Sequence, residues 1–414
     1  MRVLHTIHSL NPLHGGTSYG LRGMVEGLLK KGVETEILVL DHETSPWLAA
    51  WPCKVHAAGR GIGRFGYNKK FDAMLARIVN NFDVAVVHGL WQYHGLATRR
   101  ACLKAGVPYA VFPHGMLDEW FSKAYARKHL LKQIYWRCVE NRVLRDAAVV
   151  FFTTDEEFES GRDTFSPFAV RPAIAPFGIQ LPAHTSQEFS AAFHRRVPGF
   201  LGKRTLLFLS RIHPKKGCDL LIEGFARWHA TLPSESQNDW HLRIVGPSDS
   251  DGFLEHLRSM AAAHRLVERG MITFVGNVSG EDKWQEISQA DALILPSHQE
   301  NFGVVIAEAL ACGVPVLISN KVNGWHAIQE SGAGLVEQDT VEGVVKLIQR
   351  WERLSADEVA CMHRAASKYF AGRMSSDIGA QAFCSIVQDL GTEKHLQRFS
   401  TEVEARNRPR PEGA

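Results

Sequence analysis

The 414-residue sequence lacks the cysteine patterns that would indicate a disulfide framework or a structural zinc site. Its seven cysteines are odd in number and scattered, and no two of them form a Cys-x-x-Cys arrangement. This usage is typical of a reducing compartment, so we expect a cytoplasmic location. The first residues have the pattern of a strand rather than of a secretory signal peptide, which agrees with that expectation.

The sequence also lacks a long uninterrupted apolar run and a strong charge of one sign. The longest apolar stretch, residues 303–319, contains Glu308 and a Gly-Val-Pro break, so it does not have the pattern of a membrane span. A net charge of +3 is too small to argue for nucleic acid by itself. The length suits two domains of about 150–200 residues each, with the ordinary composition of a globular protein.

What the sequence does contain is an alternation of strand and helix patterns in both halves. A predicted strand at residues 2–7 is followed by a loop that ends in Gly15 and Gly16, then by a helix. A double glycine before a helix is a weak signal for a phosphate-binding loop. The alternation runs to a strand at residues 147–152 and restarts with a strand at 204–209. It predicts an α/β protein of two Rossmann-like, doubly wound parallel-sheet domains facing a cleft.

The domain boundaries follow from where this alternation stops and resumes. We predict an N-terminal domain at residues 1–177 and a C-terminal domain at 201–374. Residues 178–200 are rich in proline, glycine and polar residues without a clear period, so they form a predicted linker. A last helix is expected at residues 375–391, followed by a polar tail at 392–414.

The most informative stretch is residues 293–319, which has the pattern strand, loop, helix, strand. Glu300 stands just before the predicted helix and Glu308 lies in its second turn. Because a buried unpaired carboxylate costs several kcal/mol, two of them at the end of a parallel strand suggest a polar ligand. Two alternatives stay open. Glu308 could be a core residue satisfied by protein groups, and Glu300 could complement the helix dipole.

The start of that helix and a basic loop form a candidate phosphate site. Backbone N–H groups at a helix start bind anions, and Gly303 would let a phosphate approach closely. Glu308 could accept hydrogen bonds from a ribose diol. Arg211 and Lys216 follow the predicted strand at residues 204–209 and could hold a diphosphate. The alternative for the two cations is a solvated basic loop.

Histidines near strand ends are the other candidates for chemistry. His114, in a Pro-His-Gly sequence, could donate a hydrogen bond to a substrate hydroxyl or carbonyl, or it could be structural. His8, His14, His88 and His94 also lie near predicted strand ends. Their spacing matches no established ligand pattern, so we predict no metal site.

The predicted helix at residues 119–145 is basic and partly apolar. Its cationic residues are Lys123, Arg127, Lys128, Lys132, Arg137, Arg142 and Arg145. Such a helix could lie on anionic lipid headgroups. The alternative is an amphipathic helix whose apolar side faces the core and whose basic side is solvated.

Taken together, these residues resemble the retaining glycosyltransferases of family 4, which have the GT-B fold. The resemblance covers residues 2–390, and its strongest match is the family's E-x7-E motif, from Glu300 to Glu308 within PSHQENFGVVIAEALACGVPV. Supporting matches are the Gly15-Gly16 loop, Pro-His-Gly at His114, SRIHPKKG and FVGNV. One departure is the hinge sequence Phe-Gly-Ile-Gln at residues 177–180, where the family often has Asn-Gly-Ile/Val-Asp.

The resemblance implies a nucleoside diphosphate sugar as the donor substrate, bound mainly by the C-terminal domain without cofactor or metal. It assigns Arg211 and Lys216 to the diphosphate, Glu308 to the ribose and Val278 to the region of the base. The implied catalytic residues are His114, which would contact the sugar, and Glu300, which would contact the sugar hydroxyls. The implied donor-binding positions are Gly15, Gly16, Arg211, Lys216, Val278, Phe302, Gly303, Val304, Val305 and Glu308.

The implied reaction is transfer of a hexose, with retention, to a hydroxyl of a glycan or lipid-linked saccharide. A role in bacterial surface or exopolysaccharide synthesis follows, with an N-terminal acceptor-side domain whose loops at residues 59–66 and 91–94 would read the acceptor. The helix at 375–391 would cross back to that domain. Peripheral contact with the inner face of the plasma membrane, through residues 119–145, would bring the enzyme to lipid-linked acceptors.

Two rival functions remain at the level of sequence. Other GT-B enzymes, such as a sugar-nucleotide epimerase or a phosphorylase, share the architecture, but no candidate for a cofactor lysine is evident. A non-catalytic sugar-nucleotide-binding subunit of a polysaccharide assembly complex would share the donor site.

Overall fold

The computed structural model describes residues 1–12, 16–118, 126–179, 203–248 and 250–390. The chain divides into two compact units, Met1–Gln180 together with Ser375–Ala414, and Leu181–Met374. Each unit has its own parallel β-sheet with helices on both faces. The predicted α/β class with two doubly wound sheets is therefore confirmed.

The sheet of the first unit has seven strands within the described residues, in the order β3-β2-β1-β4-β5-β6-β7. They are β1 (Arg2–Ile7), β2 (Glu34–Val39), β3 (Lys54–Ala57), β4 (Val84–His88), β5 (Tyr109–Phe112), β6 (Val149–Phe152) and β7 (Pro172–Ile174). All neighbours pair in parallel. The central strands β4 and β5 are buried along their length and mostly apolar, because both faces of a central strand are covered.

Helices cover both faces of this sheet. In chain order they are α1 (Gly16–Lys30), α2 (Lys69–Ile78), α3 (Tyr93–Ala105), α4 (Ala126–Tyr135), α5 (Asn141–Arg145) and α6 (Asp155–Thr164). A π-helical turn, Trp136–Glu140, joins α4 to α5. Side-chain caps fix two of the starts, since Asn68 accepts from the N–H of Phe71 and Thr154 accepts from the N–H of Glu157.

The second unit repeats the design with six described strands in the order β10-β9-β8-β11-β12-β13. The strands are β8 (Arg204–Leu209), β9 (Trp240–Val245), β10 (Ile272–Gly276), β11 (Ala292–Leu295), β12 (Val316–Ser319) and β13 (Gly334–Glu337). The helices are α7 (Cys218–His229), α8 (Asp251–Ala263), α9 (Gly280–Ser288), α10 (Val304–Ala311), α11 (Trp325–Glu330), α12 (Val341–Glu352) and α13 (Ala356–Arg373). The strand order places the ends of β8 and β11 side by side, where ligands of doubly wound sheets bind.

The last helix, α14 (Ser376–Leu390), belongs to the first unit although it follows the second in sequence. It packs on α1, where Gly27 leaves no room for a side chain. A Cβ on Gly27 would lie 2.5 Å from the carbonyl oxygen of Ser376 and 2.9 Å from Cβ of Ala380. The N–H of Ser376 also donates to the carbonyl of Ile179 at 3.1 Å.

Some elements differ from the sequence prediction. Strand β7 was not predicted, because its three residues are too few to produce a period. Strand β3 and helix α6 were not predicted, because β3 is short and α6 (DEEFESGRDT) has too few apolar residues to show a helical period. The predicted tail at 392–414 and most of the predicted linker at 178–200 lie outside the described residues.

The predicted helix at residues 119–145 is helical from Ala126 onward, while residues 119–125 lie outside the described part. In the part of the chain that the structure describes, no helix combines the length and the apolar content needed to cross a membrane.

Candidate active site

The segment that carries both glutamates turns sharply just before helix α10. The residue before the helix, Gly303, has a φ of 62°, a left-handed conformation that side chains disfavour. A Cβ there would lie 2.7 Å from Cδ1 of Ile306. The backbone angle therefore favours glycine at this position, and a side chain there would also displace Ile306.

The first turn of α10 presents two backbone N–H groups for which the described part of the chain supplies no acceptor. The N–H groups of Ile306 and Ala307 donate to the carbonyl of Gly303 at 2.8 and 3.1 Å. Those of Val304 and Val305 reach no acceptor among the described residues. Free N–H groups at the positive end of a helix dipole make an anion-binding position.

Glu300 is oriented through its backbone and its side chain. Its carbonyl accepts from the N–H of Asn323 at 2.9 Å, and its carboxylate accepts from the N–H of Asn301 at 3.2 Å. The same carboxylate forms an ion pair with Lys216. Burial alone would raise the pKa of Glu300, but the ammonium groups of Lys216 and Lys215 outweigh burial and hold it below its ordinary value. Glu300 is thus a fixed, ionised carboxylate at neutral pH.

Glu308 is buried and its partner is a lysine that the sequence did not single out. Nζ of Lys283, on α9, lies 2.5 Å from Oε1 of Glu308. Oε2 of Glu308 accepts no hydrogen bond from the described residues. Burial raises the pKa of Glu308 above its ordinary value, and Lys283 offsets part of that rise. A protein group therefore satisfies one oxygen, as the core alternative required, while the other can accept from a ligand.

The loop after β8 carries both predicted cations, in different settings. Lys216 is 8% exposed and contacts Glu300, so it is not a solvated surface lysine. Arg211 is exposed. Gly217 has a φ of 68°, and a Cβ on it would lie 2.2 Å from the carbonyl oxygen of Pro296. The loop therefore passes directly against the end of β11, and this close approach brings Lys216 to Glu300.

The remaining predicted donor-binding residues lie as follows. Val278 follows β10 and is half-buried, as is Phe302 before α10. Gly16 is the exposed first residue of α1, and Gly15 lies outside the described residues.

In the first unit, His114 lies in the turn after β5 with a strained backbone. Its φ is 57°, a left-handed value that is uncommon outside glycine and often marks functional sites. The N–H of Gly115 donates to Oε1 of the buried Glu157 at 2.6 Å, which fixes the turn. The His114 ring stacks on Phe177 with centroids 4.4 Å apart and planes 10° apart. The imidazole is therefore held in one orientation.

Two further histidines extend from His114 into the sheet, and we call His5, His88 and His114 the histidine row. Nε2 of His114 lies 3.0 Å from Nδ1 of His88, whose Nε2 lies 2.9 Å from Nδ1 of His5. Because Ile7 is paired with His88 and lies two residues after His5, both rings point to the same face of the sheet. Burial lowers the pKa of both His5 and His114 to about 3, so these rings are neutral at neutral pH.

Several of the histidines considered for a metal site have other contacts. His88 belongs to the histidine row, and Nε2 of His94 lies 2.9 Å from the carbonyl oxygen of His88. His14 lies outside the described residues. Across the described residues, no group of three or more histidine, cysteine, aspartate or glutamate side chains is arranged to hold a metal ion.

Sequence reasoning missed Lys283, Glu157 and His5. His5 could have been found, because a polar side chain inside an otherwise apolar strand requires a partner. Lys283 gave no signal, since it stands among charged residues at the start of α9 that have the pattern of a solvated helix. Glu157 likewise stands in an acidic first turn, which usually complements the helix dipole.

Two sequence profiles match the chain, one in each half. The profile described as "Glycosyl transferase 4-like domain" matches residues 15–178. The profile described as "Glycosyl transferases group 1" matches residues 190–368.

Relatives of known name are distant in sequence. D-inositol 3-phosphate glycosyltransferase of Geodermatophilus obscurus is 29% identical over 225 residues, which are 52% of this chain and 49% of that protein. The chain thus spans about half the length of the inositol glycosyltransferases that it matches. GDP-mannose:cellobiosyl-diphosphopolyprenol alpha-mannosyltransferase of Xanthomonas oryzae is 25% identical over 380 residues, 90% of this chain and 93% of that protein.

Solved structures share the architecture at low identity. HepE of Anabaena, crystallised with UDP and glucose, has a TM-score of 0.68 at 15% identity and covers 94% of this chain and 99% of its own. Sucrose-phosphate synthase of Thermosynechococcus elongatus has a TM-score of 0.67 at 18% identity, with coverages of 94% and 99%. These likenesses establish the fold alone.

Two doubly wound parallel-sheet units, with an anion-binding helix start at the switch point of the second, define a protein of the GT-B fold. Within that fold, the chain belongs to the glycosyl transferases group 1, the family 4-like glycosyltransferases. The resemblance found in the sequence is confirmed at this level.

Proposed function

We propose that the protein is a glycosyltransferase that moves a hexose from a nucleoside diphosphate sugar to a hydroxyl group. The observation that carries the proposal is the different setting of two carboxylates around one anion-binding helix start. Glu300 is ionised and fixed, whereas Glu308 keeps one oxygen open. A nucleotide sugar has the complementary chemistry, with anionic phosphates between two sets of hydroxyl groups.

The diphosphate of the donor would lie at the start of α10. The N–H groups of Val304 and Val305 reach no acceptor among the described residues and would donate to phosphate oxygens. Lys216 and Arg211 would supply positive charge from the loop after β8. Oε2 of Glu308 would accept from the ribose diol.

The other predicted contacts with the donor involve backbone amides, a valine side chain and two glycines. The amides of Phe302 and Gly303 would complete the cradle for phosphate and sugar oxygens. Val278 would lie beside the base. Gly15 and Gly16 would let the donor approach the start of α1.

Glu300 and His114 are the proposed catalytic residues. Glu300 would accept hydrogen bonds from hydroxyls of the donor sugar, and His114 would donate one to the same sugar. As the diphosphate departs, Lys216 and the α10 dipole would stabilise its growing negative charge without a divalent metal.

We propose a front-face reaction with retention. The bond from the anomeric carbon to the diphosphate oxygen breaks while the acceptor oxygen bonds to the same face of that carbon. The leaving diphosphate oxygen takes the proton of the acceptor hydroxyl. Double displacement would need a second carboxylate as nucleophile, whereas Glu308 is paired with Lys283 and is assigned in this proposal to the ribose.

The proposed acceptor is a glycan or lipid-linked saccharide of bacterial surface or exopolysaccharide synthesis. The Xanthomonas relative is named for a diphosphopolyprenol-linked acceptor, and a Mycolicibacterium smegmatis relative, 26% identical over 245 residues, for phosphatidylinositol monomannoside. The loops proposed to read the acceptor are joined, because the N–H of Tyr93 donates to the carbonyl of Phe65 at 2.7 Å and the two rings pack edge to face. The half-buried rings of Phe65 and Trp91 would offer apolar surface to a sugar ring.

We also propose contact with anionic lipid on the inner face of the plasma membrane, through one exposed helical face. We call it the basic-apolar face: Leu130, Leu131, Ile134, Arg137, Arg142 and Arg145. Its three apolar side chains are 56–69% exposed, which is unusual for an amphipathic helix packed on a core. Residues three and four apart lie on the same face of a helix, so the exposed leucines and isoleucine adjoin the exposed arginines along one face. Apolar side chains at headgroup depth with flanking cations suit an anionic bilayer.

Sedimentation with vesicles tests this contact. Wild-type protein should sediment with vesicles of phosphatidylcholine and phosphatidylglycerol and remain free with phosphatidylcholine alone. The double variant L130Q/L131Q should lose binding. Leu103→Gln, at a leucine that is 54% exposed on α3, is the matched control and should keep it. Equal sedimentation of all three proteins would contradict the proposal.

The transferase proposal is tested by nucleotide release. Purified protein is incubated with UDP-glucose, then with GDP-mannose, with and without lipid-linked saccharide acceptors. Release of the nucleoside diphosphate with one donor, stimulated by acceptor, is expected. A protein that binds a nucleotide sugar but never releases nucleotide, to any acceptor or to water, would be the non-catalytic binding subunit instead.

A further inference from the structure

The histidine row ends in a buried nitrogen for which the described residues provide no partner. Nε2 of His5 makes no hydrogen bond within the described structure, and His5 is fully buried. The row contains two contacts, and each joins a nitrogen of one imidazole ring to a nitrogen of the next. Since a neutral imidazole has one N–H and one lone pair, these contacts can form in two ways only, with all protons pointing one way or the other.

In the first arrangement the protons point toward His114. Nδ1–H of His5 donates to Nε2 of His88, and Nδ1–H of His88 donates to Nε2 of His114. His5 then leaves a bare lone pair in the core. His114 carries its proton on Nδ1.

In the second arrangement every proton is reversed. His114 donates from Nε2 to His88, and His88 donates from Nε2 to His5. His5 must then bury an N–H without an acceptor, and His114 presents a lone pair at Nδ1. Orphaned buried N–H groups are rarer in proteins than orphaned acceptors, so the first arrangement is favoured.

A neighbouring histidine shows the same preference. Nε2 of His94 contacts the carbonyl oxygen of His88 at 2.9 Å, and a carbonyl can only accept, so this nitrogen carries the proton. Nδ1 of His94 is buried without a partner, and in a neutral ring it is a lone pair. Burial lowers the pKa of His94 to about 3, which keeps that ring neutral. The protein thus already leaves a bare ring nitrogen, rather than a bare N–H, in this region.

We propose that His88, backed by His5, is a positioning residue that locks His114 in the Nδ1–H tautomer. The inference rests on the proposed contact between His114 and the donor sugar, and it specifies that contact as a hydrogen bond donated from Nδ1. No described residue accepts from Nδ1 of His114, and the ring is partly exposed. An N–H group at Nδ1 can donate a hydrogen bond to a sugar hydroxyl or to the ring oxygen. It also stabilises a developing negative charge, which a lone pair at Nδ1 would repel.

The row does not conduct protons. Conduction would require a group beyond His5 to accept or supply a proton at Nε2, and the described structure has none there. The row therefore fixes the direction of the hydrogen bonds and the orientation of the His114 ring. Stacking on Phe177 adds a second restraint on the same ring.

The direct test is the tautomer of His114 in the wild-type protein. Long-range ¹H–¹⁵N NMR spectra of histidine-labelled protein distinguish the two ring nitrogens, and the spectrum of His114→Gln assigns the signal. We expect the proton on Nδ1 at about pH 7.5, well above the lowered pKa. A proton on Nε2 would overturn the inference without any reference to activity.

Two substitutions of His88 extend the test. His88→Phe keeps an aromatic ring against Phe112, which stacks on His88 with planes 4° apart, but removes the donor. Nothing then fixes the proton of His114, so the Nε2–H tautomer should become populated as well, and kcat should fall by up to about tenfold with donor KM within about twofold, because part of the protein lacks the hydrogen bond in the transition state. His88→Asn places an amide N–H near the position of Nδ1 and should restore both the tautomer and most of kcat.

Controls separate positioning from stability and from the proposed function. His241→Phe replaces a buried histidine of the second unit, whose ring nitrogens contact Gly270 and Thr273, and should leave the His114 tautomer and kcat unchanged. An unaltered tautomer and kcat in His88→Phe would contradict the inference. If no donor is turned over by wild type, the proposed function fails, yet the tautomer remains measurable.

Discussion

The ammonium group of Lys283 lies 2.5 Å from Oε1 of Glu308, and the two side chains are 16% and 5% exposed. Lys283 offsets part of the rise in pKa that burial causes in Glu308, the carboxylate that we assign to the ribose. The other oxygen of Glu308 accepts no hydrogen bond from the described residues and is available to a ligand.

Removal of Lys283 should make donor affinity depend on pH. In Lys283→Met, Glu308 loses the group that offsets burial, so its pKa should rise further. Protonated Glu308 accepts the ribose diol poorly, so donor KM in this variant should increase as pH falls, beginning at a higher pH than in wild type. Lys283→Arg keeps the charge and is the control. A flat, wild-type profile of KM against pH in Lys283→Met would contradict this role.

Substitution of the two carboxylates should change different kinetic constants. Glu308→Gln should raise donor KM about ten- to hundredfold, as for a lost hydrogen bond to a charged group, with a smaller change in kcat. Glu300→Gln should lower kcat about a hundredfold and change KM little, because its contact matters most in the transition state. Steady-state kinetics of both variants measure this. Equal, near-wild-type kinetics would refute the assignment of both residues.

Gly303 and Gly270 offer a matched pair for the helix start. Each has a φ of 62°, but a Cβ at Gly303 meets Ile306 and Glu300, while one at Gly270 meets open space. Both alanine variants should lose about 1 kcal/mol of unfolding free energy from the backbone angle. Gly303→Ala should also weaken donor binding, measured by calorimetry. Equal donor affinity in the two variants would show that this turn does not hold the donor.

The first unit should lose stability in mild acid. His5 has a pKa of about 3 when folded against about 6.5 unfolded, so the unfolded chain binds the extra proton between these values. The contribution of the neutral His5 ring to the free energy of unfolding is complete above about pH 6.5 and is lost as pH falls toward 3. Over this range the free energy of unfolding should change by up to about 1.4 kcal/mol per pH unit. His5 faces His88, whose pKa burial also lowers well below the ordinary value.

Chemical unfolding at several pH values between about 4 and 7 checks this. The free energy of unfolding should depend less steeply on pH in His5→Phe than in wild type. The difference corresponds to about one proton taken up on unfolding, because phenylalanine cannot titrate. The paired carboxylates titrate in both proteins, so the difference isolates His5. Parallel curves for the two proteins would contradict the assigned protonation.

The sequence was sufficient for the parts of the fold and site that depend on local pattern. Glycine at 303, the apolar run into α10 and the following strand predicted the helix start correctly, and the alternation of elements predicted both sheets. Which residues pair with the two glutamates depends on contacts between segments that are distant in sequence. Lys216 reaches Glu300 because Gly217 lets its loop touch β11, and nothing local to Lys283 points to Glu308.

The histidine row escaped sequence analysis for the same reason. His5 and His88 are 83 residues apart, and they meet because β1 and β4 are neighbours in register in the sheet. The strand order of a doubly wound sheet makes this adjacency predictable, but the choice of ring nitrogens requires coordinates. The hydrogen bond from Gly115 to Glu157 is similarly a product of the folded turn.

The central claim is retaining transfer of a sugar from a nucleotide donor, and the anomeric configuration of the product tests it most directly. Wild-type protein is incubated with the donor that releases nucleotide and with its acceptor, and the product is examined by NMR at the new glycosidic bond. We predict transfer with the anomeric configuration of the donor, and about a hundredfold slower formation of product with Glu300→Gln. A product of inverted configuration, or nucleotide binding without any transfer, would contradict the account.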